Sequence, residues 1–206
     1  MTTLLHIDTS IFSAQGESSR LAQAFVDRWR DSHPGAAVIE RDLSQQPIPH
    51  LDAAGFQAFI AAPELRSEAQ KAVVAYSDAL IGELKRADVI ALGLPLYNFG
   101  VPSMLKAYFD HIARAGVTFR YTERGPIGLL TGKEAFVFAA RGGKYFGTTL
   151  DTQTAHVRDF LRFLGIDQVH FTYAEGLALG AGPKQIALAQ AHAAIAALGT
   201  GQRLAA

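Results

Sequence analysis

The run Val89-Ile90-Ala91-Leu92-Gly93-Leu94 contains no polar side chain. A half-buried strand alternates apolar and polar residues, so one that is apolar at every position is covered on both faces. That makes it a central strand of a sheet with a layer packed on each side, as in a parallel sheet whose strands are joined by crossover helices. The rest of the sequence supplies the parts. Leu4 to Asp8 and Ala37 to Arg41 read as strands before this run, and Ala135 to Ala140 and Gln168 to Ala174 as strands after it. Between them lie stretches of helical spacing. Leu21, Phe25, Val26 and Trp29 share one face of a helix, with Ser18 and Ser19 as its expected caps and His33-Pro34-Gly35 as its stop. A long helix is predicted from about Glu64 to Arg86, with Leu65, Ala69, Val73, Tyr76, Leu80 and Leu84 as its buried stripe. Ser103 to Ala115 turns Leu105, Tyr108, Phe109 and Ile112 inward. Asp151 to Leu164 ends on Gly165 as the residue just past the helix, and an Ala-rich helix runs from about Pro183 to Leu198.

Strand and helix alternate throughout, which argues for an α/β sandwich of three layers, with helices on both faces of the sheet. Five strands match the flavodoxin-like order 2-1-3-4-5. At 206 residues, 49% of them hydrophobic, the chain fits a single domain spanning 1–206. Two stretches stand outside the alternation. Gln45 to Pro63 is irregular, with prolines at 47, 49 and 63 and a short helix near Ala54 to Ile60. Gly116 to Gly128 is a second excursion, and long connections of this kind are often functional.

Several function classes drop out. Lys plus Arg and Asp plus Glu balance at 19 each, with no basic stripe for a nucleic acid and no net pull toward an acidic membrane. There is no cysteine, which removes disulfides, thiolate metal sites and a cysteine nucleophile, and fits a cytoplasmic protein. The N-terminus lacks a secretory pattern, and no apolar run approaches the ~20 residues of a membrane helix. The Gly-x-Gly-x-x-Gly, Gly-Lys-Ser/Thr and Gly-x-Ser-x-Gly signatures are all missing, as is His-Glu-x-x-His; His111 reads as a packing or surface residue and no metal is expected.

In an open α/β sheet, ligands bind beyond the C-terminal ends of the central strands, where strand order reverses. Three loops leave those ends. The first, Asp8 to Ser19, carries hydroxyls at 9, 10, 13, 18 and 19 and opens onto a helix N-terminus, which suits a phosphate. Taken alone it reads more readily as an ordinary capped turn, because serine is so widely used at helix caps. The second, "PLYNFGVP" at 95–102, sets Tyr97, Asn98 and Phe99 between two prolines. It suits a flat ring with a polar edge, and equally a turn that plugs the sheet with aromatics. The third, Ala140 to Gly147, brings the bare backbone of Gly142-Gly143 and the charge of Arg141. Together the three suit a molecule with a phosphate tail and a planar, hydrogen-bonding head, such as FMN.

The block from Pro95 to Gly143 also resembles a known family. "PLYNFGVPSMLK", "AGVTFRYTERGPIGL" and the strand ending "ARGG" are similar to the FMN-dependent NADH-azoreductases, which are also NADH:quinone oxidoreductases of the flavodoxin-like superfamily. The resemblance extends to the first strand and serine loop and to Phe160–Ile166. It implies one FMN per subunit and NADH as donor. Ser10 and the Gly16-Glu17-Ser18 turn would hold the phosphate. Leu96, Tyr97, Asn98 and Phe99 would line the ring, and Ala140, Arg141, Gly142 and Gly143 would meet its pyrimidine end. Two departures stand out. The family turn is commonly Ser-x-Ser, so here Gly16 loses a hydroxyl and Glu17 must point away from the phosphate. Ala140 replaces a residue that often bears a hydroxyl. The resemblance further implies a homodimer with a site at each end of the interface, where Phe119, Tyr121 and Phe163 would shape the substrate pocket; Phe163 reads equally as a core position of its amphipathic helix.

On this reading the flavin carries the redox chemistry, and no catalytic side chain is named. A quinone or an azo compound would replace NADH at a shared site, which implies ping-pong kinetics. Donors of the Arg141-Gly142-Gly143 loop would stabilise negative charge on the reduced ring. The alternative is a flavodoxin-type electron carrier without a substrate of its own. Such carriers are shorter and strongly acidic, which the zero net charge opposes.

Overall fold

The structure is a computed structural model and describes residues 2–198. Five parallel strands form one sheet: β1 (Thr3–Asp8), β2 (Ala37–Asp42), β3 (Val89–Pro95), β6 (Glu134–Arg141) and β7 (Gln168–Glu175), in the order β2-β1-β3-β6-β7. This is the predicted order, with the two extra strand labels falling in a separate hairpin. That hairpin, β4 (Phe119–Thr122) and β5 (Gly125–Gly128), occupies the second excursion and pairs antiparallel. The helices are α1 (Glu17–Ser32), α2 (Ala53–Ile60), α3 (Glu68–Arg86), α4 (Ser103–Ile112), α5 (Thr152–Phe163) and α6 (Ala181–Ala197). None of them is long and apolar enough to cross a membrane.

β3 is buried at all seven positions. Successive side chains of a strand point to opposite faces, and those of β3 divide accordingly. Ile90, Leu92 and Leu94 join an apolar cluster with residues of α3, α4 and α5. Val89 and Ala91 join a second cluster with residues of α1 and α6. β6 divides the same way, Ala135 and Val137 against Phe136 and Phe138.

Two predicted helices need correction. The long helix starts at Glu68, not Glu64, because Ser67 and Gln70 close a reciprocal capping box there, while Pro63–Leu65 forms a separate 3-10 turn. Its buried face is Val74, Ser77, Leu80, Ile81 and Leu84, so Leu80 and Leu84 of the predicted stripe hold while its other positions do not; Leu65 is 79% exposed and Tyr76 36%. Ala69 and Val73 instead line a cleft closed by Pro49–Asp52 and the start of α2, a neighbour that helical periodicity cannot reveal. The helix after β3 stops at Ile112, where the buried Thr118 hydroxyl donates to the Ile112 carbonyl (2.6 Å) and accepts from the Arg114 N–H (2.9 Å). Gly165 ends α5 as expected, with φ +98°. The Ile166 N–H reaches the Leu161 carbonyl (2.9 Å) and the Gly165 N–H the Arg162 carbonyl (2.8 Å), a Schellman pair.

Candidate functional site

The three central strands, β1, β3 and β6, release their loops at one edge of the sheet. After β1 the chain makes a 3-10 turn and reaches Gly16, the extended residue that precedes α1 and offers no side-chain cap. The first intrahelical bond runs from the Arg20 N–H to the Gly16 carbonyl (3.0 Å). The N–H groups of Glu17, Ser18 and Ser19 therefore have no acceptor within the helix. Ser18 and Ser19 do not cap α1 as predicted: they lie inside its first turn with helical backbone, whereas a cap residue must be extended. Both are buried, and neither hydroxyl has a hydrogen-bond partner among the described residues. Gly16 is required by space, since a Cβ there would overlap the Ser10 side chain. The result is an uncapped helix N-terminus, where free backbone N–H groups and the helix dipole favour an anion, with two buried hydroxyls in the same turn.

After β3 the chain makes a tight hairpin. Tyr97 and Gly100 exchange backbone hydrogen bonds of 3.3 and 2.9 Å. The two residues between them, Asn98 and Phe99, have φ of +49° and +58°. Positive φ at both central positions makes a type I′ turn, for which Asn-Gly is the favoured pair. Asn98 is at home; Phe99 is held in a backbone state that a bulky residue avoids. Its ring is half exposed and meets Tyr145 edge-on at 5.6 Å. The first turn of α5 fixes this hairpin. The buried Gln153 Nε2 donates to the carbonyls of Pro95 (2.8 Å) and Gly100 (3.0 Å), and the Thr152 hydroxyl donates to the Phe99 carbonyl.

After β6 the carbonyls of Arg141, Gly142 and Gly143 accept from Leu177 (3.1 Å), Ala178 (3.0 Å) and Gly176 (2.8 Å). A trans peptide holds its C=O and N–H antiparallel, so the N–H groups of Gly142, Gly143 and Lys144 face away from that segment. The Arg141 side chain does not supply free positive charge to the loop, contrary to the expectation from sequence. It is 1% exposed and bonds Asp151 (2.8 Å), Glu175 (3.1 Å) and Thr154 (3.0 Å), with Tyr173 under its guanidinium. Glu175 in turn accepts from the N–H groups of Tyr145 and Phe146, both at 2.9 Å. Burial would raise the Asp151 carboxyl, but hydrogen bonds from Arg141 and Thr154 hold it below its usual value.

Side-chain and backbone bonds join the three loops. The Ser10 and Tyr97 hydroxyls share a hydrogen bond of 3.2 Å, and the Leu96 N–H donates to the Ala140 carbonyl (3.1 Å). Glu17 turns to α6, where its carboxylate meets Lys184 at 2.6 Å, with Arg20 at 3.8 Å. Phe119, Tyr121 and Phe163 also cluster, with ring centroids 5.4 and 4.4 Å from Phe119. They do not join the loops within one chain. Phe163 ends α5 while Thr152 begins it, so the cluster lies roughly 16 Å further along, at the opposite edge of the sheet. Sequence reasoning missed Thr152, Gln153 and Glu175. A glutamine in a first helical turn and a glutamate ending a strand carry no local sign of the loops they hold.

The whole described chain, residues 2–198, matches the family model described as flavodoxin-like fold. An FMN-dependent NADH:quinone oxidoreductase of Cellvibrio japonicus is 55% identical over 87% of this chain and 90% of its own length. An FMN-dependent NADH:quinone oxidoreductase 6 of Burkholderia lata is 52% identical over 96% of this chain and all of its own. Among solved structures, an azoreductase from Bacillus anthracis superposes with a TM-score of 0.88 at 27% identity, covering 95% of this chain and 97% of that one. The chain belongs to the flavodoxin-like fold family and, within it, to the FMN-dependent NADH:quinone oxidoreductases.

Proposed function

We propose that the chain is an FMN-dependent oxidoreductase that moves two electrons from NADH to a quinone and also cleaves aromatic azo compounds reductively. The observation that carries this reading is the convergence of three unlike loops on one sheet edge: an anion-ready helix end, an aromatic I′ hairpin and a run of outward backbone N–H groups. FMN, when bound, supplies the two-electron chemistry. The residues of the chain bind and orient it. The N–H groups of Glu17, Ser18 and Ser19, with the hydroxyls of Ser10 and Ser18, fit the phosphate. Leu96 to Phe99 fit the ring, and the N–H groups of Gly142 and Gly143 fit its pyrimidine edge, where fixed donors stabilise negative charge. Arg141 serves through its backbone, and its buried side chain holds the loop.

The same reading makes the protein a cytoplasmic homodimer. Phe119, Tyr121 and Phe163 lie too far from the loops to serve them in one chain, which fits a role at the partner's site. Tyr121 is 73% exposed, Ile127 44% and Leu129 40%, an apolar surface suited to a second copy.

The test is spectroscopic. The purified protein should be yellow or take up added FMN, bleach with NADH under anaerobic conditions, and recolour with a quinone. A protein that binds FMN but leaves NADH untouched is an electron carrier. One that ignores both FMN and NADH ends the proposal.

A further inference from the structure

Glu17 stands at the first position of α1, beside the N–H groups that suit a phosphate. A free carboxylate there would share the positive helix end with a dianion and repel it. The structure does not leave it free. Lys184 Nζ lies 2.6 Å from one carboxylate oxygen and Arg20 lies 3.8 Å from the other. The carboxylate side chain is 22% exposed and Lys184 44%, so the pair is only partly screened by water.

The placement of Lys184 is the unusual part. It lies in the first turn of α6, where the N–H of Lys184 itself bonds back to the Gly180 carbonyl (3.1 Å). A cation is disfavoured at that end of a helix, because the helix dipole is positive there. The helix end does not favour a lysine here, and the carboxylate of α1 offsets that small cost. α1 and α6 also pack together through Leu21, Phe25, Ala191 and Ile195, so the pair bridges a fixed seam. Glu17, Lys184 and Arg20 together present one net positive charge to the neighbouring phosphate position.

We infer that Lys184 is a positioning residue for the flavin phosphate: it draws Glu17 aside, cancels its charge, and so gives this chain its preference for a phosphorylated flavin over an unphosphorylated one. This rests on the flavin reading above. It also accounts for an acidic residue in a turn that must receive an anion.

The experiment titrates the flavin-depleted full-length chain with FMN and, separately, riboflavin, following flavin fluorescence at low and high salt. Lys184→Gln should weaken FMN binding about five- to tenfold at low salt, less at high salt, because screening removes the exposed repulsion. Riboflavin, which has no phosphate, should bind the variant and the parent alike. Glu17→Gln should bind FMN at least as tightly as the parent, and Glu17→Gln with Lys184→Gln should recover the loss. Equal losses for FMN and riboflavin would mean structural damage and overturn the inference, as would a Lys184→Gln variant with parental FMN affinity. A parent chain that binds neither flavin would instead refute the flavin site itself, and this inference with it.

Discussion

The Ser10 Oγ and the Tyr97 hydroxyl lie 3.2 Å apart, although the residues are 87 positions apart in sequence. This bond ties the phosphate-suited turn to the aromatic hairpin. Ser10 keeps a second partner, since its Oγ also accepts from the Phe12 N–H at 3.1 Å. Removing the tyrosine hydroxyl therefore leaves no orphaned group.

Tyr97→Phe should accordingly cost little stability and a measurable amount of cofactor. A lost neutral hydrogen bond of this kind is worth about 0.5–1.5 kcal/mol, or roughly two- to tenfold in FMN affinity. Fluorescence titration gives the affinity and thermal unfolding of the flavin-free chain gives the control. A large fall in melting temperature with unchanged affinity would show that the bond serves folding alone.

Phe99 should behave in the opposite sense. At φ +58° its backbone is strained, and glycine is the residue that this turn position favours. Phe99→Gly should leave the flavin-free chain as stable as the parent or more stable by about 0.5–1 kcal/mol, the relief of strain offsetting the lost Tyr145 contact. NADH-driven quinone reduction should fall, because the half-exposed ring is the part of the hairpin able to touch a stacked substrate. Lower stability with full activity would assign Phe99 to packing instead.

The fold was legible because periodicity records burial. The unbroken apolar run of β3 required cover on both faces, and the structure divides its side chains between two clusters accordingly. The three loops were legible because strand order places the ends of the central strands together. What escaped was whatever depends on which neighbour a side chain meets. Gln153 bonds two carbonyls more than fifty positions away. Arg141 looked like a charge offered to a ligand, yet it is buried between two carboxylates that follow it in the sequence. Neither pairing leaves a local pattern, and the same holds for the cleft that turns Ala69 and Val73 from the sheet.

That buried ion group predicts an acid limb. Despite the opposing effect of burial, hydrogen bonds from Arg141 and Thr154 lower the Asp151 carboxyl from 3.8. A depressed carboxyl stabilises the fold at pH values above its unfolded pKa and loses that contribution as pH falls through its folded pKa. Unfolding free energy should therefore decline below about pH 4. Asp151→Asn should lower stability at neutral pH and flatten this limb, since the neutral side chain no longer titrates and Arg141 keeps Glu175 but loses the Asp151 charge. Denaturant unfolding across pH 3–7 reads both effects. Parallel acid limbs in parent and variant would move the origin to other groups, with Asp42, also held low through Ser13 and Ser44, the first to examine.

Gly128 and Gly165 set the hairpin against the end of α5. A Cβ on Gly128 would overlap backbone atoms of Leu164 and Gly165, which have no flexible side chain to swing aside. The Leu130 N–H fixes the same approach by donating to the Leu164 carbonyl at 2.8 Å. Gly128→Ala must then push β4 and β5 away from the helix, at a cost of about 1–3 kcal/mol, as in an overpacked core. The shift would carry Tyr121, Ile127 and Leu129 with it, and these form the surface proposed to meet a second copy. Gly128→Ala should thus unfold earlier and dissociate at a higher protein concentration in sedimentation experiments. Tyr121→Ser gives the contrasting case: the ring is 73% exposed, so its loss should leave monomer stability unchanged while weakening association and substrate turnover. If Gly128→Ala lowered stability without affecting association, the hairpin would be a structural brace and the second copy would dock on another face.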